Sequence, residues 1–407
     1  MPPRIFLSAG EASGDHYGAQ LITALRRLQP GATFFGLGGT QMESAGLERI
    51  IRAEDVAVMG ITEVLLHLPR IYGAYRRLVN SIRANPPQIA VLIDYPDVNL
   101  RLARHLKKLG VPVVYLVSPQ LWAWKKNRLA TVQELVSKML VIFPFEEPFY
   151  RARGVQVEFI GHPLADEPPT TVTREQLAEQ TISIPEFAAD PLDASKPWIA
   201  LLPGSRVHEI MLNLPEMVRA AHQLGAQYEF VVPLAPTLSP QQIEKLGSSF
   251  GSSLMEAASP ARISFVKDAA AALFHSRAAI VASGTATVLA ALIGRPFIVV
   301  YKTSAITYAI AKNCISYPPE IPAPLDEDGN VPVAMVNLIA GRRIVPELLQ
   351  DRFTADNILG ELLPLLQDTP ERAAMITGLD DVRHRLRPLE TPAIERAAAA
   401  VVSLLNA

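Results

Sequence analysis

Arg4 to Leu25 read RIFLSAGEASGDHYGAQLITAL. An apolar run of strand type, Ile5-Phe6-Leu7, breaks into the small residues Ser8, Ala9 and Gly10, passes Glu11, Ser13, Gly14 and Asp15, and continues as a helical pattern. Strand, turn and helix in this order open a parallel α/β unit. The turn is not a dinucleotide fingerprint, because Gly10 and Gly14 follow G-x-x-x-G rather than G-x-G-x-x-G. Two carboxylates also stand where a pyrophosphate would lie, which makes a plain phosphate cradle the weaker reading.

Working outward, the same alternation recurs. Strand-type runs at Thr33–Leu37, Ile89–Ile93, Val113–Val117, Met139–Ile142 and Val157–Ile160 are separated by helical patterns such as Arg70–Arg83 and Val98–Leu109. It lapses between Ala165 and Pro197, a stretch rich in Pro, Thr and Asp, and restarts with Trp198–Leu202, Glu229–Val232, Ile263–Val266, Ala279–Ala282 and Phe297–Tyr301. The expected fold class is α/β, with two Rossmann-like doubly wound domains facing a central cleft. Expected boundaries are 1–165 for the first domain, 166–197 for a linker with a short helix, 198–385 for the second domain, and 386–407 for a C-terminal helix crossing back to the first. At 407 residues each domain is long enough to own a core.

Composition excludes several classes. Hydrophobic residues make up 49% of the chain and charged ones 19%, yet the uncharged run Ala278–Gly294 is interrupted by Ser283, Gly284, Thr285 and Thr287, so it reads as strand, turn and buried helix rather than a membrane span. The N-terminus offers only Arg4 and a short apolar stretch before Glu11, which is no secretory signal, so a cytoplasmic protein is expected. A single cysteine, Cys314, rules out an internal disulfide and a cysteine metal cluster. The net charge of −2 gives no general attraction to nucleic acid.

Four strand-to-helix turns stand out: SAGEASGD (Ser8–Asp15), IDYPDVN (Ile93–Asn99), LLPGSR (Leu201–Arg206) and ASGTAT (Ala282–Thr287). Each falls at the carboxyl end of a strand, where open α/β sheets bind ligands. PGSR and SGTAT have the composition of an anion site, with small residues that let backbone N–H groups approach, a helix beginning at once, and Arg206 for a bidentate phosphate contact. Asp94 follows Ala90–Ile93 and stands at a strand tip, while Asp97 or Asn99 is placed to cap the helix that Pro96 begins. Trp122 and Trp124 in SPQLWAWKKNR are too closely spaced for one helix face, so either one ring enters the core and the other lines the cleft, or both pack inside. His162 sits between a strand and the linker, as a hydrogen-bonding group rather than a catalyst. The only D-x-D, Asp326 and Asp328, lies among turn residues and reads as a solvated loop, so neither metal nor cofactor is expected.

Taken together and in order, SAGEASGD, AVMGITEVL, IDYPDVN, SPQLWAW, FPFEEPFY, IGHPLAD, LLPGSR, ASGTAT and VNLIAGRRIVPELLQ closely resemble the lipid-A-disaccharide synthase family, over nearly the whole chain. That family consists of inverting glycosyltransferases of the two-domain GT-B type. The resemblance implies transfer from UDP-linked 2,3-diacylglucosamine to the 6-hydroxyl of 2,3-diacylglucosamine 1-phosphate, giving UDP and a β-1,6 disaccharide. It also implies Asp94 as the catalytic base, Glu11, Ser13, Asp15, Trp124 and Asn337 as substrate-binding residues, and Gly204, Ser205, Arg206, Ser283, Gly284 and Thr285 around UDP. Other UDP-sugar GT-B transferases or epimerases, and a catalytically silent lipid or nucleotide binder, are the alternative readings.

One position departs from the family pattern. The turn written here SGTATVL normally ends in a glutamate that accepts hydrogen bonds from the ribose diol, and this chain has Leu289. Loss of a charged hydrogen bond weakens UDP binding by about 1.5 to 3 kcal/mol where nothing replaces it. Val56–Arg83 joins an apolar stretch to Arg70, Arg76, Arg77 and Arg83, a composition suited to the cytoplasmic membrane surface and to acyl chains. Homodimerisation is left open.

Overall fold

The computed structural model describes residues 2–53, 61–124, 128–182, 184, 192–236, 238–254, 261–304, 307–309, 312 and 315–407, with backbone only at 61–71 and 250–254. The Val56–Arg83 segment therefore lies partly outside the described residues. The chain forms two compact units. One comprises Met1–Asp166, Ser316–Glu320 and Leu386–Ala407, and the other Glu167–Ile315 and Ile321–Arg385. Ser316–Glu320, read from the sequence as part of one continuous stretch 198–385, groups with the first unit, where Tyr317 lies 5.7 Å from Trp122 ring to ring and Glu320 pairs with Arg153 at 3.0 Å.

Seven strands build the sheet of the first unit: β1 (Arg4–Ala9), β2 (Thr33–Gly38), β3 (Leu47–Arg52), β4 (Ile89–Ile93), β5 (Val113–Leu116), β6 (Lys138–Val141) and β7 (Val157–Phe159). All pairings are parallel and the spatial order is β3-β2-β1-β4-β5-β6-β7. In the second unit β8 (Trp198–Leu202), β9 (Glu229–Pro233), β10 (Arg262–Val266), β11 (Ser276–Ala282), β12 (Phe297–Tyr301) and β13 (Glu347–Leu349) are parallel in the order β10-β9-β8-β11-β12-β13. Each chain segment thus winds outward from its first strand, returns, and continues on the other side. The reversals lie between β1 and β4 and between β8 and β11, the topological switch points at which such sheets take ligands.

The central strands are buried on both faces, as continuous apolar runs require: Ile5–Leu7, Ile89–Ile93, Ile199–Leu201 and Ile280–Val281 are fully buried or nearly so. The C-terminal helix Ala393–Leu405 presents Ala393, Ile394, Ala397, Ala398 and Val401 to the same core as Ile5, Leu7, Leu21 and Leu25, and packs on the helix Ala12–Leu28. Its alanines allow that close approach. Two strands escape the sequence reading, β3 and β13. Both are edge strands, the first carrying Glu48, Arg49 and Arg52 and the second only three residues long, so neither shows a plain apolar run.

Two residues expected at the substrate make contacts that hold the fold. Asp15 is buried, and its carboxylate accepts the backbone N–H groups of Gly39 at 2.8 Å, Met42 at 3.0 Å and Gln41 at 3.0 Å, anchoring the start of the short helix Thr40–Ser44. Asn337 is fully buried; its Nδ2 donates to the Val345 carbonyl and the Glu347 carboxylate, and its Oδ1 accepts from the N–H groups of Ile344 and Val345. The polar atoms of both residues thus have partners inside the chain. Asp15→Ala is expected to lower the unfolding free energy by about 2 to 4 kcal/mol, because three donors lose a charged acceptor. Urea denaturation reads this directly, and undiminished stability together with weakened acceptor binding would return Asp15 to the site.

Candidate active site

At the β1–β4 switch point the chain makes an uncommon turn. Asp94 and Tyr95, directly after β4, both lie in the left-handed region with φ of 45° and 48°, which side-chain-bearing residues rarely adopt in succession. The turn is held from below by Asn99, which is fully buried. Its Nδ2 reaches the carbonyls of Asp94 at 2.7 Å, Ile93 at 3.1 Å and Ser8 at 3.3 Å, while its Oδ1 accepts the Ser8 hydroxyl at 2.6 Å. The Tyr115 hydroxyl donates to the same Asp94 carbonyl at 2.6 Å, and the Asp94 N–H donates to Leu116 at 2.9 Å. The expected capping role falls to neither side chain: Tyr95 is the residue that precedes the helix Pro96–Lys108, Asn99 ties strand tips together, and Asp97 pairs with Arg128.

Gly10 makes room for this turn. A Cβ there would lie 2.4 Å from the Tyr95 ring, so the opening SAGEASGD segment carries glycine where the ring of the neighbouring strand tip passes over it. Glu11 and Ser13 are exposed at the start of the helix Ala12–Leu28. Burial pushes the Asp94 carboxyl up to about 6, with the Glu11 carboxylate adding to the rise and the Tyr95 N–H opposing it. A carboxylate of this kind titrates close to neutrality, as a general base requires.

Beside it, the loop after β5 separates the two tryptophans. Trp122 is 1% exposed and Trp124 49% exposed. Trp122 is fixed by a residue to which no role was assigned from the sequence: the buried Glu146 accepts the Trp122 indole N–H at 3.1 Å, the Ser118 hydroxyl at 2.6 Å and the Phe143 N–H at 3.1 Å. Burial raises the Glu146 carboxyl to about 7, against the pull of these donors. Glu146 thus joins the loop after β5 to the loop after β6. His162 packs between Tyr17 and Phe143 and its Nδ1 accepts the Leu164 N–H, a structural contact.

In the second unit the switch point between β8 and β11 brings together the PGSR and SGTAT turns, since β8 and β11 are paired with Leu202 opposite Val281. Gly204 has φ of 124° and Gly284 of 154°, values that favour glycine. Ser205 and Arg206 are exposed ahead of the helix Val207–Leu224, and Gly284 and Thr285 are exposed ahead of the helix Thr285–Ile293. The N-termini of two helices of more than two turns each therefore stand at one switch point beside a guanidinium, an arrangement that attracts a multiply charged anion. The Ser283 hydroxyl donates to the Val333 carbonyl at 3.2 Å. Leu289 is half-buried in the second of these helices and supplies no acceptor. Asp326 and Asp328 bind their own loop and Arg343 and Arg352, and among the described residues no three His, Cys, Asp or Glu side chains gather as metal ligands.

Known proteins place this architecture. The sequence pattern of the family described as lipid-A-disaccharide synthetase matches residues 5–401. A lipid-A-disaccharide synthase of Acidobacterium capsulatum is 54% identical over 409 aligned residues, covering 99% of this chain and 97% of that protein. Among solved structures, the calicheamicin glycosyltransferase CalG4 superposes with a TM-score of 0.57 at 16% identity, covering 100% of this chain and 99% of its own. The S. aureus MnaA–UDP co-structure superposes with a TM-score of 0.62 at 11% identity, covering 99% and 97%. At such identities the two structures speak for the fold alone, two parallel-sheet α/β units of the GT-B type. The sequence matches go further: the chain belongs to the lipid-A-disaccharide synthetase family.

Proposed function

We propose that the chain transfers 2,3-diacylglucosamine from its UDP-linked form to the 6-hydroxyl of 2,3-diacylglucosamine 1-phosphate, with inversion, releasing UDP and the β-1,6-linked disaccharide 1-phosphate. The observation that carries the roles is the Asp94 turn: a carboxylate raised to about 6, set at a switch point on a strained backbone that the interior holds in place. Asp94 accepts the hydroxyl proton as that oxygen bonds to the anomeric carbon. The bond from that carbon to the diphosphate breaks at the same time, and UDP leaves with the electron pair. Arg206 and the helix starts after PGSR and SGTAT stabilise the departing charge. Glu11, Ser13 and Trp124 are assigned to the acyl-sugar substrates.

Asp94→Asn keeps the shape of the group and favours the left-handed backbone, but its amide cannot take a proton. Turnover is expected to fall at least about a hundredfold. In the unmodified protein kcat/KM should rise with pH through a limb near 6, because only the ionised carboxylate is a base. Stability moves the other way. The folded-state value lies above the ordinary 3.8, so the contribution is present at low pH and lost as pH rises through about 6; the ionised group costs up to about 3 kcal/mol above it. The Asn variant should therefore be the more stable protein at pH 8 and lose that advantage at pH 4. Retention of a tenth of the activity would remove Asp94 as the base.

Arg206→Ala should weaken UDP binding roughly ten- to a hundredfold by calorimetry, corresponding to about 1.5 to 3 kcal/mol for a charged hydrogen bond, and lower turnover with it. Unchanged UDP affinity would take Arg206 out of the nucleotide site.

The acylated substrates call for a membrane surface. No helix among the described residues is long and apolar enough to cross one. On the first unit, Arg76, Arg77 and Arg83 of the helix Ile61–Ala84 and Arg101, Arg104, Lys107 and Lys108 of the helix Pro96–Lys108 are all exposed, and the two helices touch, with Tyr75 and His105 6.0 Å apart ring to ring. Such a basic face supports peripheral attachment to anionic lipid. Replacing Arg76 and Arg77 by serine should weaken binding to phosphatidylglycerol-containing vesicles by about 1 kcal/mol per charge. Sedimentation indifferent to the change and to salt would rule the face out.

A further inference from the structure

The loop assigned to the diphosphate already holds an anion. Glu209, in the first turn of the helix Val207–Leu224, folds back so that its Oε2 accepts the backbone N–H groups of Ser205 at 3.1 Å and Arg206 at 3.4 Å. Its Oε1 stands 3.5 Å from Arg206 Nη1. A Cβ on Gly204 would lie 2.6 Å from that same Oε2, so the carboxylate rests against the bare face of the glycine, where the oxygens of a ligand would approach. Tyr301, at the tip of β12, is raised by burial, with the Glu209 carboxylate adding to the rise and the Arg206 guanidinium opposing it. The companion turn is different: a Cβ on Gly284 would meet nothing within 4 Å.

A diphosphate and this carboxylate compete for the same donors. Backbone N–H groups that point at an anion serve one anion well, and two anions side by side in the loop repel each other. We propose that Glu209 is a built-in counter-anion of the PGSR loop. It occupies the Ser205 and Arg206 donors and Arg206 itself in the nucleotide-free protein, is displaced by the diphosphate, and returns as UDP leaves. The loop is thereby kept folded with its donors satisfied, and UDP is held less tightly than the bare loop would hold it, which favours product release. This rests on the reading of PGSR as the diphosphate site.

The test is calorimetric titration of the full-length protein, comparing the unmodified chain with Glu209→Gln and Arg206→Ala, each against UDP and against uridine. Glu209→Gln keeps the size of the side chain and removes the competing charge. UDP should bind it three- to tenfold more tightly, UDP product inhibition should tighten by the same factor, and uridine affinity should not change, because uridine brings no phosphate to the loop. UDP affinity equal to or weaker than that of the unmodified chain would overturn the proposal and make Glu209 a fixed brace. So would equal tightening toward uridine, which would report a general change of the loop. Arg206→Ala separates the two levels: unchanged UDP affinity in that variant defeats the site reading itself, whereas loss of UDP affinity there with no gain in Glu209→Gln defeats only the counter-anion.

Discussion

The hydrogen bonds of Asn99 are the constraint on which the first unit's chemistry depends. Consecutive left-handed residues such as Asp94 and Tyr95 cost roughly 1 to 3 kcal/mol each and persist only where the surroundings over-determine them. Here one buried amide reaches carbonyls on β1 and at the end of β4, and accepts the Ser8 hydroxyl in return. Because β1 and β4 are adjacent only through the parallel winding of the sheet, a side chain at their shared tip converts topology into the placement of one carboxylate. Gly10 completes the arrangement by leaving space for the Tyr95 ring.

Two kinds of charge are divided between the two units. The first gathers carboxylates, with Asp94 desolvated and Glu11 near enough to raise it further, which suits proton acceptance. The second gathers donors, in the exposed helix starts after β8 and β11 and in Arg206, which suits a leaving diphosphate. Glu146 adds a third element, a buried carboxylate that secures Trp122 so that Trp124, two residues on, is the exposed ring of the pair.

Much of this was legible in the sequence because the signals are local. Strand-type runs breaking into small residues marked three of the switch-point turns, and the apolar run Ala90–Ile93 placed Asp94 at a strand tip. What escaped depends on side-chain contacts that exist only once the chain is folded. The bonds of Asp15 to Gly39–Met42 and of Asn337 to Ile344–Glu347 leave no mark in the sequence pattern. Glu209 reads as an ordinary acid in a first helical turn, where a carboxylate is favoured anyway, and only the fold of Gly204 turns it into the occupant of a loop. The edge strands β3 and β13 were missed for lack of an apolar run, since an edge needs burial on fewer sides.

The central claim is that this chain forms a β-1,6 bond between two acylated glucosamines with inversion. The purified protein, given UDP-2,3-diacylglucosamine and 2,3-diacylglucosamine 1-phosphate, should yield UDP and a disaccharide 1-phosphate whose new anomeric proton shows the large diaxial coupling of a β linkage by NMR. An α-linked product, a product joined elsewhere than at the 6-hydroxyl, or no consumption of the acylated donor would contradict it.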